Sequence, residues 1–221
     1  MKSLFFFTVI FSSVIFLSKS LGNGGAVGNS GVFAVCESDP KLYAADFLIS
    51  RDLDLGEDRD LPLDTQLQTI YQELKRLNEL WTDDLKDFLE TRFQQVRGRK
   101  YQWLRSTKLA TMWNPGLDEL LPSNCKEKHQ AFYYFPPEKN FTQIYYKYDP
   151  DLIPKVRQQP GGDLQVSYLL IHEWLWNHFD STDILYSARF NRLLHSKKLL
   201  TLNEQDYKLL KAELARKPPQ R

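Results

Sequence analysis

The segment from Asp163 to His178 (DLQVSYLLIHEWLWNH) constrains the fold most, because it is long, strongly apolar and free of proline. Since strands are usually shorter than this, the segment predicts an α-helix, with Asp163 directly after Gly161 and Gly162 as its N-cap. Its apolar residues surround the helix axis instead of forming one stripe, which is typical of a helix covered on most sides. We therefore predict that this segment is the central buried helix of the fold.

The pair His172-Glu173 lies in the middle of this helix. A carboxylate in such a position needs a partner or must take up a proton. We predict that Glu173 is buried in an ion pair with Arg189 or Arg192 of the next helix, and that His172 hydrogen-bonds to the backbone or to a tyrosine. This structural role is the favoured interpretation. The alternative is that His172 and Glu173 are a catalytic acid-base pair.

A zinc site at this pair is disfavoured by spacing. In the zinc-protease motif H-E-x-x-H a second histidine follows four residues after the first, but here that position is Trp176. His178 lies about 120° round the helix and ~9 Å along its axis from His172, too far for a shared zinc unless the helix ends between them. We therefore predict no metal ligand and no cofactor. A metal bound by His172 together with His129, His195 or a distant aspartate is the remaining alternative.

The first 20 residues predict a secretory signal peptide. Lys2 supplies the positive charge, residues 4–17 form the apolar run, and Ser18-Lys19-Ser20 or Ser20-Leu21-Gly22 is a small-x-small cleavage site. The mature chain is therefore expected to begin near residues 21–23. The apolar run is too short and contains too many hydroxyl groups for a membrane span, and no later segment is long enough. We predict an exported protein, periplasmic or extracellular, with no transmembrane segment after cleavage.

Cys36 and Cys125 are the two cysteines of the chain. Because exported proteins meet an oxidising compartment, the simplest prediction is one disulfide, with Cα atoms about 4.4 to 6.8 Å apart. Two buried thiols are the alternative. The bridge would hold the N-terminal strand beside the region of the later hairpin.

The remaining segments predict a mixture of strands and helices. The glycine-rich residues 22–31 predict a loop, either a flexible arm or a segment pressed against its surroundings. Residues 62–80 have leucine and isoleucine at helical spacing, which favours a core-facing helix over a dimerising coiled coil. The other predictions are a buried strand at 31–36, a short helix at 41–50, a helix at 83–97 capped by Thr82 (separate from the preceding helix or continuous with it), loop with short strands at 98–124, a tyrosine-rich hairpin at 131–135 and 143–148, a helix after the turn at 180–182, and a last helix from 203.

Length and composition indicate one globular domain at residues 21–217, followed by a disordered tail at 218–221. The chain has 221 residues, of which 42% are hydrophobic, enough to bury a core. The fold class predicted is α+β, mainly helical, with the central buried helix and a small antiparallel sheet or hairpin. The formal charge is +1, and without Lys2 and Lys19 the balance of basic to acidic residues is 27 to 28, or −1, so no nucleic-acid partner is predicted.

Several short motifs follow one another along the chain. They are, in order, the leader, Gly22-Asn23-Gly24-Gly25, Val35-Cys36, Leu121-Pro122 before Cys125, Gln130-Ala131, His172-Glu173 and Ser187-x-Arg189-Phe190-Asn191. Together these motifs resemble a family of uncharacterised exported proteins that is common in predatory Gram-negative bacteria. Family members usually have Tyr-Arg after the His-Glu pair, whereas this chain has Trp176-Asn177. The resemblance implies export and the disulfide, and it implies no activity.

From these features we predict an exported globular protein with a structural or binding role, such as an envelope component, whose partner the sequence does not identify. The alternative is a secreted hydrolase, metal-dependent or not, that uses His172 and Glu173. A third interpretation is a binding module that presents the tyrosines of the hairpin as an exposed aromatic patch.

Overall fold

The computed structural model describes residues 31–53, 55–77, 79–106, 109, 115–135, 143–179 and 184–208. The predicted signal peptide, the glycine-rich residues 22–30, the turn at 180–182 and the C-terminal tail lie outside the described residues. The strands are β1 (Val32–Cys36), β2 (Asp39–Ala44), β3 (Tyr101–Arg105), β4 (Cys125–Gln130), β5 (Phe132–Phe135) and β6 (Ile144–Tyr148). The helices are α1 (Ala45–Ile49), α2 (Leu63–Leu77), α3 (Glu79–Thr91), α4 (Pro115–Leu120), α5 (Leu152–Arg157), α6 (Gly162–Phe179), α7 (Ile184–His195) and α8 (Lys197–Thr201).

The fold is α+β, mainly helical and a single domain, as predicted. Its centre is α6, which packs against α1, α2, α5, α7 and β2. Residues on every side of α6 are buried, including Val166, Leu170, Ile171 and Trp174, so the prediction of a central buried helix is confirmed. Among the described residues no helix is both long and apolar enough to cross a membrane.

Two three-stranded sheets flank the helices. In the first sheet β1 lies between β2 and β4, and both pairings are antiparallel. In the second, β6 lies between β5, which is antiparallel to it, and β3, which is parallel to it. The β5–β6 pair confirms the predicted hairpin strands. The second sheet buries Tyr101, Trp103 and Tyr146 against Phe88 of α3.

The disulfide between Cys36 and Cys125 is confirmed. The two residues are directly opposite each other in the β1–β4 register, which places the N-terminal strand beside the chain that leads into β5. Their Cα atoms are 3.9 Å apart, which is closer than the predicted range of about 4.4 to 6.8 Å.

The helix α2 shows the predicted core-facing pattern. Its leucine and isoleucine positions are all buried within this chain, which removes the basis for a coiled coil. A second helix follows at Glu79–Thr91, but its predicted N-cap was wrong, because Thr82 lies inside α3 and donates to the carbonyl of Glu79. The short helix predicted at 41–50 was half right, since residues up to Ala44 extend β2 and only the remainder is helical.

The N-cap predicted at Asp163 was also wrong. The helix α6 begins at Gly162, and the Asp163 carboxylate instead accepts from the Leu63 N–H at 2.8 Å and from Arg157 Nε at 2.6 Å. It therefore satisfies one of the first N–H groups of α2, which would otherwise lack a partner. Asp163 thus ties the start of α2 to the start of α6.

Candidate functional site

The carboxyl group of Glu173 lies inside the protein and is held by the first described residue of the chain. Glu173 is 1% exposed, and its Oε1 accepts a hydrogen bond from the backbone N–H of Gly31. The two residues are 142 positions apart in the sequence. The contact therefore joins the start of the N-terminal strand to the middle of α6.

A side chain on Gly31 would have to displace two side chains of α6. A Cβ on Gly31 would lie 2.7 Å from Leu169 Cδ1 and 2.8 Å from Glu173 Oε1, closer than carbon atoms approach either. On its other side, the Gly31 carbonyl accepts from the N–H of Ala131 at 2.9 Å and from that of Phe132 at 3.3 Å. Gly31 is thus held between α6 and the junction of β4 with β5.

His172 faces a different partner from Glu173, since successive residues of a helix point about 100° apart. Its Nδ1 is 2.9 Å from Asp46 Oδ1, and its ring lies nearly parallel to that of Trp176, with centroids 5.9 Å apart. The other oxygen of Asp46 accepts from Asn191 Nδ2 at 2.7 Å. The predicted backbone or tyrosine partner was therefore wrong at Nδ1, because a carboxylate from α1 occupies that position.

Burial raises the pKa of the Glu173 carboxyl to about 7. His172 and the Gly31 N–H act in the opposite direction, and the Asp46 carboxylate adds to the increase. The cost of removing the charge from water dominates, because a single N–H donor replaces the hydration of a carboxylate only in part. The carboxyl of Glu173 therefore changes its protonation state near neutral pH.

The ion pair predicted for Glu173 is contradicted. Arg189 is exposed on the outer side of α7. Arg192 is buried, but its guanidinium binds the Asp58 carboxylate and donates to the Gly56 carbonyl at 3.1 Å. The prediction failed because the loop before α2 lies over α7. Asp58 of this loop binds Arg192, which the sequence had suggested as a partner of Glu173.

A second cluster of buried polar side chains is centred on Asp58. Tyr168 of α6 donates its hydroxyl hydrogen to Asp58 Oδ1 at 2.7 Å, and burial raises its pKa well above the usual value, so the hydroxyl keeps its proton. The Tyr168 ring stacks on the His195 ring, with centroids 3.9 Å apart. This cluster fixes the loop before α2 and the end of α7 against α6.

His195 is an uncharged part of the core. Burial lowers the pKa of its imidazole to about 3, and the charges of Arg59 and Arg192 lower it further, although the Asn191 carbonyl opposes them. Its Nδ1 is 2.9 Å from that carbonyl and its Nε2 is 2.8 Å from Ser167 Oγ. Nδ1 therefore carries the hydrogen, and Nε2 accepts from the serine.

Within the described part of the chain, no three histidine, cysteine or acidic side chains are grouped so that they could hold a metal ion. The helix α6 runs without a break from Gly162 to Phe179, so it does not end between His172 and His178. Both nitrogens of His195 are already bonded. The side chains of His129 and His178 lie outside the described residues.

The tyrosine hairpin points partly inward. Tyr146 and Tyr148 are buried, while Tyr145 is half-buried and donates its hydroxyl hydrogen to Gln143. The side chains of Tyr133 and Tyr134 lie outside the described residues. Side chains along β6 point alternately to the two faces of the sheet, so two of its tyrosines lie in the core, as expected for a strand with one buried face.

An open groove lies between α2 and α3. It has a volume of about 420 Å³, within the range of small-ligand sites, and the buried side chains of Leu67 and Leu89 together with Tyr71 provide its apolar part. The groove thus combines an apolar floor with charged side chains. Its rim carries two ion pairs, Asp64–Arg92 and Lys86–Glu90.

Comparison of the chain with protein-family models, curated proteins and solved structures found no match.

The sequence predicted His172 and Glu173 as the residues of interest but missed Asp46, Asn191 and Gly31. Asp46 was detectable as the one acidic residue in the apolar segment 42–49, since a carboxylate there must be buried with a partner. Asn191 is part of the motif that carried the family resemblance. Gly31 had no comparable signal, because a backbone N–H is present at nearly every residue.

Proposed function

We propose that this chain is an exported globular protein with a binding role, in which His172 and Glu173 stabilise the fold instead of catalysing a reaction. The observation that carries this proposal is the enclosure of both groups: Glu173 is 1% exposed and His172 is 9% exposed. A general acid or base must come within hydrogen-bond distance of its substrate. Here the bonds of the pair run to Gly31 and Asp46, which belong to other elements of the same fold.

Export is the second part of the proposal. It is supported by the predicted leader, by the Cys36–Cys125 bridge and by the resemblance to exported proteins of predatory bacteria. Cell fractionation followed by N-terminal sequencing tests it. We expect a periplasmic or extracellular protein that begins near residues 21–23 and has no reactive thiol. A full-length protein in the cytoplasm with two free thiols would contradict it.

The binding role is proposed for the groove between α2 and α3. Its apolar part suits an apolar side chain, and the ion pairs at its rim can exchange partners with a ligand that carries both charges. A short peptide combines these features, so we propose peptide segments as the ligand class.

Titration of the folded protein with a mixed set of short peptides, followed by NMR, tests this assignment. We expect amide shifts along α2 and α3 that are lost in Tyr71→Ala and retained in the matched control Tyr145→Ala, which alters a half-buried tyrosine of β6. Peptide-induced shifts confined to other elements, or none at all, would contradict the assignment.

A secreted hydrolase is the second candidate, and the contact between Asp46 and His172 favours it. A carboxylate 2.9 Å from Nδ1 orients an imidazole and fixes its tautomer, as in acid-base dyads. Assays with chromogenic ester, peptide and glycoside substrates separate the two candidates. Activity that falls at least a hundredfold in both Asp46→Asn and His172→Gln, but persists in the control Asp39→Asn, would establish the hydrolase and overturn the binding proposal.

A further inference from the structure

The Glu173 carboxyl is the connection between the N-terminal strand and the central helix. The Gly31 N–H donates to it, and the backbone at Gly31 is so close that an added Cβ would lie 2.8 Å from Oε1. The opposite side of Gly31 is fixed by the N–H groups of Ala131 and Phe132. Any change in the acceptor strength of Glu173 therefore acts on one identifiable amide.

The charged and titratable groups that face Glu173 come from two helices. His172 precedes it on α6, and Asp46 approaches from α1. From β6, the Tyr146 hydroxyl donates to the backbone carbonyl of Glu173 at 3.3 Å. Burial, opposed by His172 and the Gly31 N–H and assisted by Asp46, brings the carboxyl pKa to about 7.

We propose that Glu173 is a proton-controlled latch on the N-terminal strand, whose ionised form holds the Gly31 amide and whose protonated form loosens it while the rest of the fold stays intact. The proposal rests on the structural role proposed above for Glu173. A hydrogen bond to an ionised acceptor is about twice as strong as one between neutral groups, so the N-terminal strand is held more firmly above neutral pH.

The latch makes two properties of the protein respond to pH in opposite directions. As the pH falls through about 7, Glu173 gains its proton and the Gly31 amide loses part of its protection. Over the same range the contribution of Glu173 to the free energy of unfolding of the whole fold increases, because the buried carboxyl group no longer has to carry a charge. A general loosening of the protein by acid would instead lower both properties together.

NMR of the full exported chain tests the latch. The Glu173 carboxyl carbon and the Gly31 amide are followed from pH 5 to pH 9 in the wild type, in Glu173→Gln and in the exposed control Glu204→Gln. We expect both signals of the wild type and of the control to titrate with a midpoint near 7. The protection factor of the Gly31 amide, corrected for intrinsic exchange, should fall about tenfold from high to low pH, and it should be independent of pH in Glu173→Gln.

A Glu173 midpoint below about 5, near the value of an unperturbed carboxyl, would overturn the latch, as would a Gly31 amide that does not follow the carboxyl. The wild-type titration decides this even if Glu173→Gln does not fold. Failure of the structural role is distinguishable, because it would show as hydrolytic activity that depends on His172, whatever the pH response of Gly31.

Discussion

At Gly31 the backbone lies so close to α6 that a side chain there would have to displace Leu169 and Glu173, and this defines the first prediction. In Gly31→Ala the new methyl group would lie within 3 Å of Leu169 and Glu173, both of which are buried. Overpacking of this kind costs about 1 to 3 kcal/mol. Urea unfolding should show that loss, and an unchanged midpoint would contradict the placement of Gly31 against α6.

The second prediction at the residue scale concerns His195, whose pKa of about 3 lies below that of an unfolded histidine. The unfolded chain therefore binds more protons between that value and about 6.5, so the contribution of His195 to stability is complete above pH 6.5 and is lost as the pH falls. His195→Gln should remove this slope of roughly 1.4 kcal/mol per pH unit. Unfolding free energies of both proteins from pH 4 to pH 8 check it, and parallel curves would contradict a neutral buried His195.

At the scale of elements, the junction between α5 and α6 depends on two adjacent glycines for different reasons. A Cβ on Gly162 would lie 1.9 Å from the Val156 carbonyl oxygen, a backbone atom that cannot rotate away. Gly161 has a φ of +72° and open space around its Cα, so alanine there causes only backbone strain. We expect Gly162→Ala to cost several times more than the roughly 1 kcal/mol of the control Gly161→Ala. Thermal unfolding of the two variants measures the difference, and equal losses would contradict this packing.

The elements also show what the sequence could predict. The apolar spacing of α2, the length of the apolar run in α6 and the aromatic strands β5 and β6 each had a strong local signal, and all were found. The change from strand to helix after Ala44 had none, because the apolar pattern of residues 41–50 fits either structure over so short a distance.

The candidate site was less predictable than the fold for the same reason. The burial of Glu173 followed from the all-round apolar pattern of α6, but its partner is a backbone N–H 142 residues away. The carboxylate at His172 is 126 residues away on a helix of only five residues. Such contacts are set by how distant elements pack together. A local pattern identifies that a group needs a partner but not which partner it finds.

For the whole molecule, the disulfide should be a major source of stability. It closes a loop of 89 residues between β1 and β4, for which chain entropy gives about 4 to 5 kcal/mol. The double variant Cys36→Ser/Cys125→Ser should lose most of that amount in urea unfolding, and dithiothreitol should affect the wild type but not the variant. Equal stability with and without the bridge would contradict its role in holding β1 in place.

The difference in unfolding free energy between Glu173→Gln and the wild type, measured from pH 4.5 to pH 8.5, tests most directly that Glu173 is a buried carboxyl held by the Gly31 N–H and not by Arg189 or Arg192. Because its pKa is raised to about 7, the stability that Glu173 contributes is complete below about 4.5 and is lost as the pH rises through 7. Glutamine keeps an acceptor for Gly31 and does not ionise. We expect the free energy of unfolding of Glu173→Gln to rise relative to that of the wild type as the pH rises. Above neutral pH this relative gain should reach roughly 3 kcal/mol. A difference that is constant with pH would contradict this expectation. So would a variant whose relative stability falls as the pH rises, which is the result for an ion-paired Glu173.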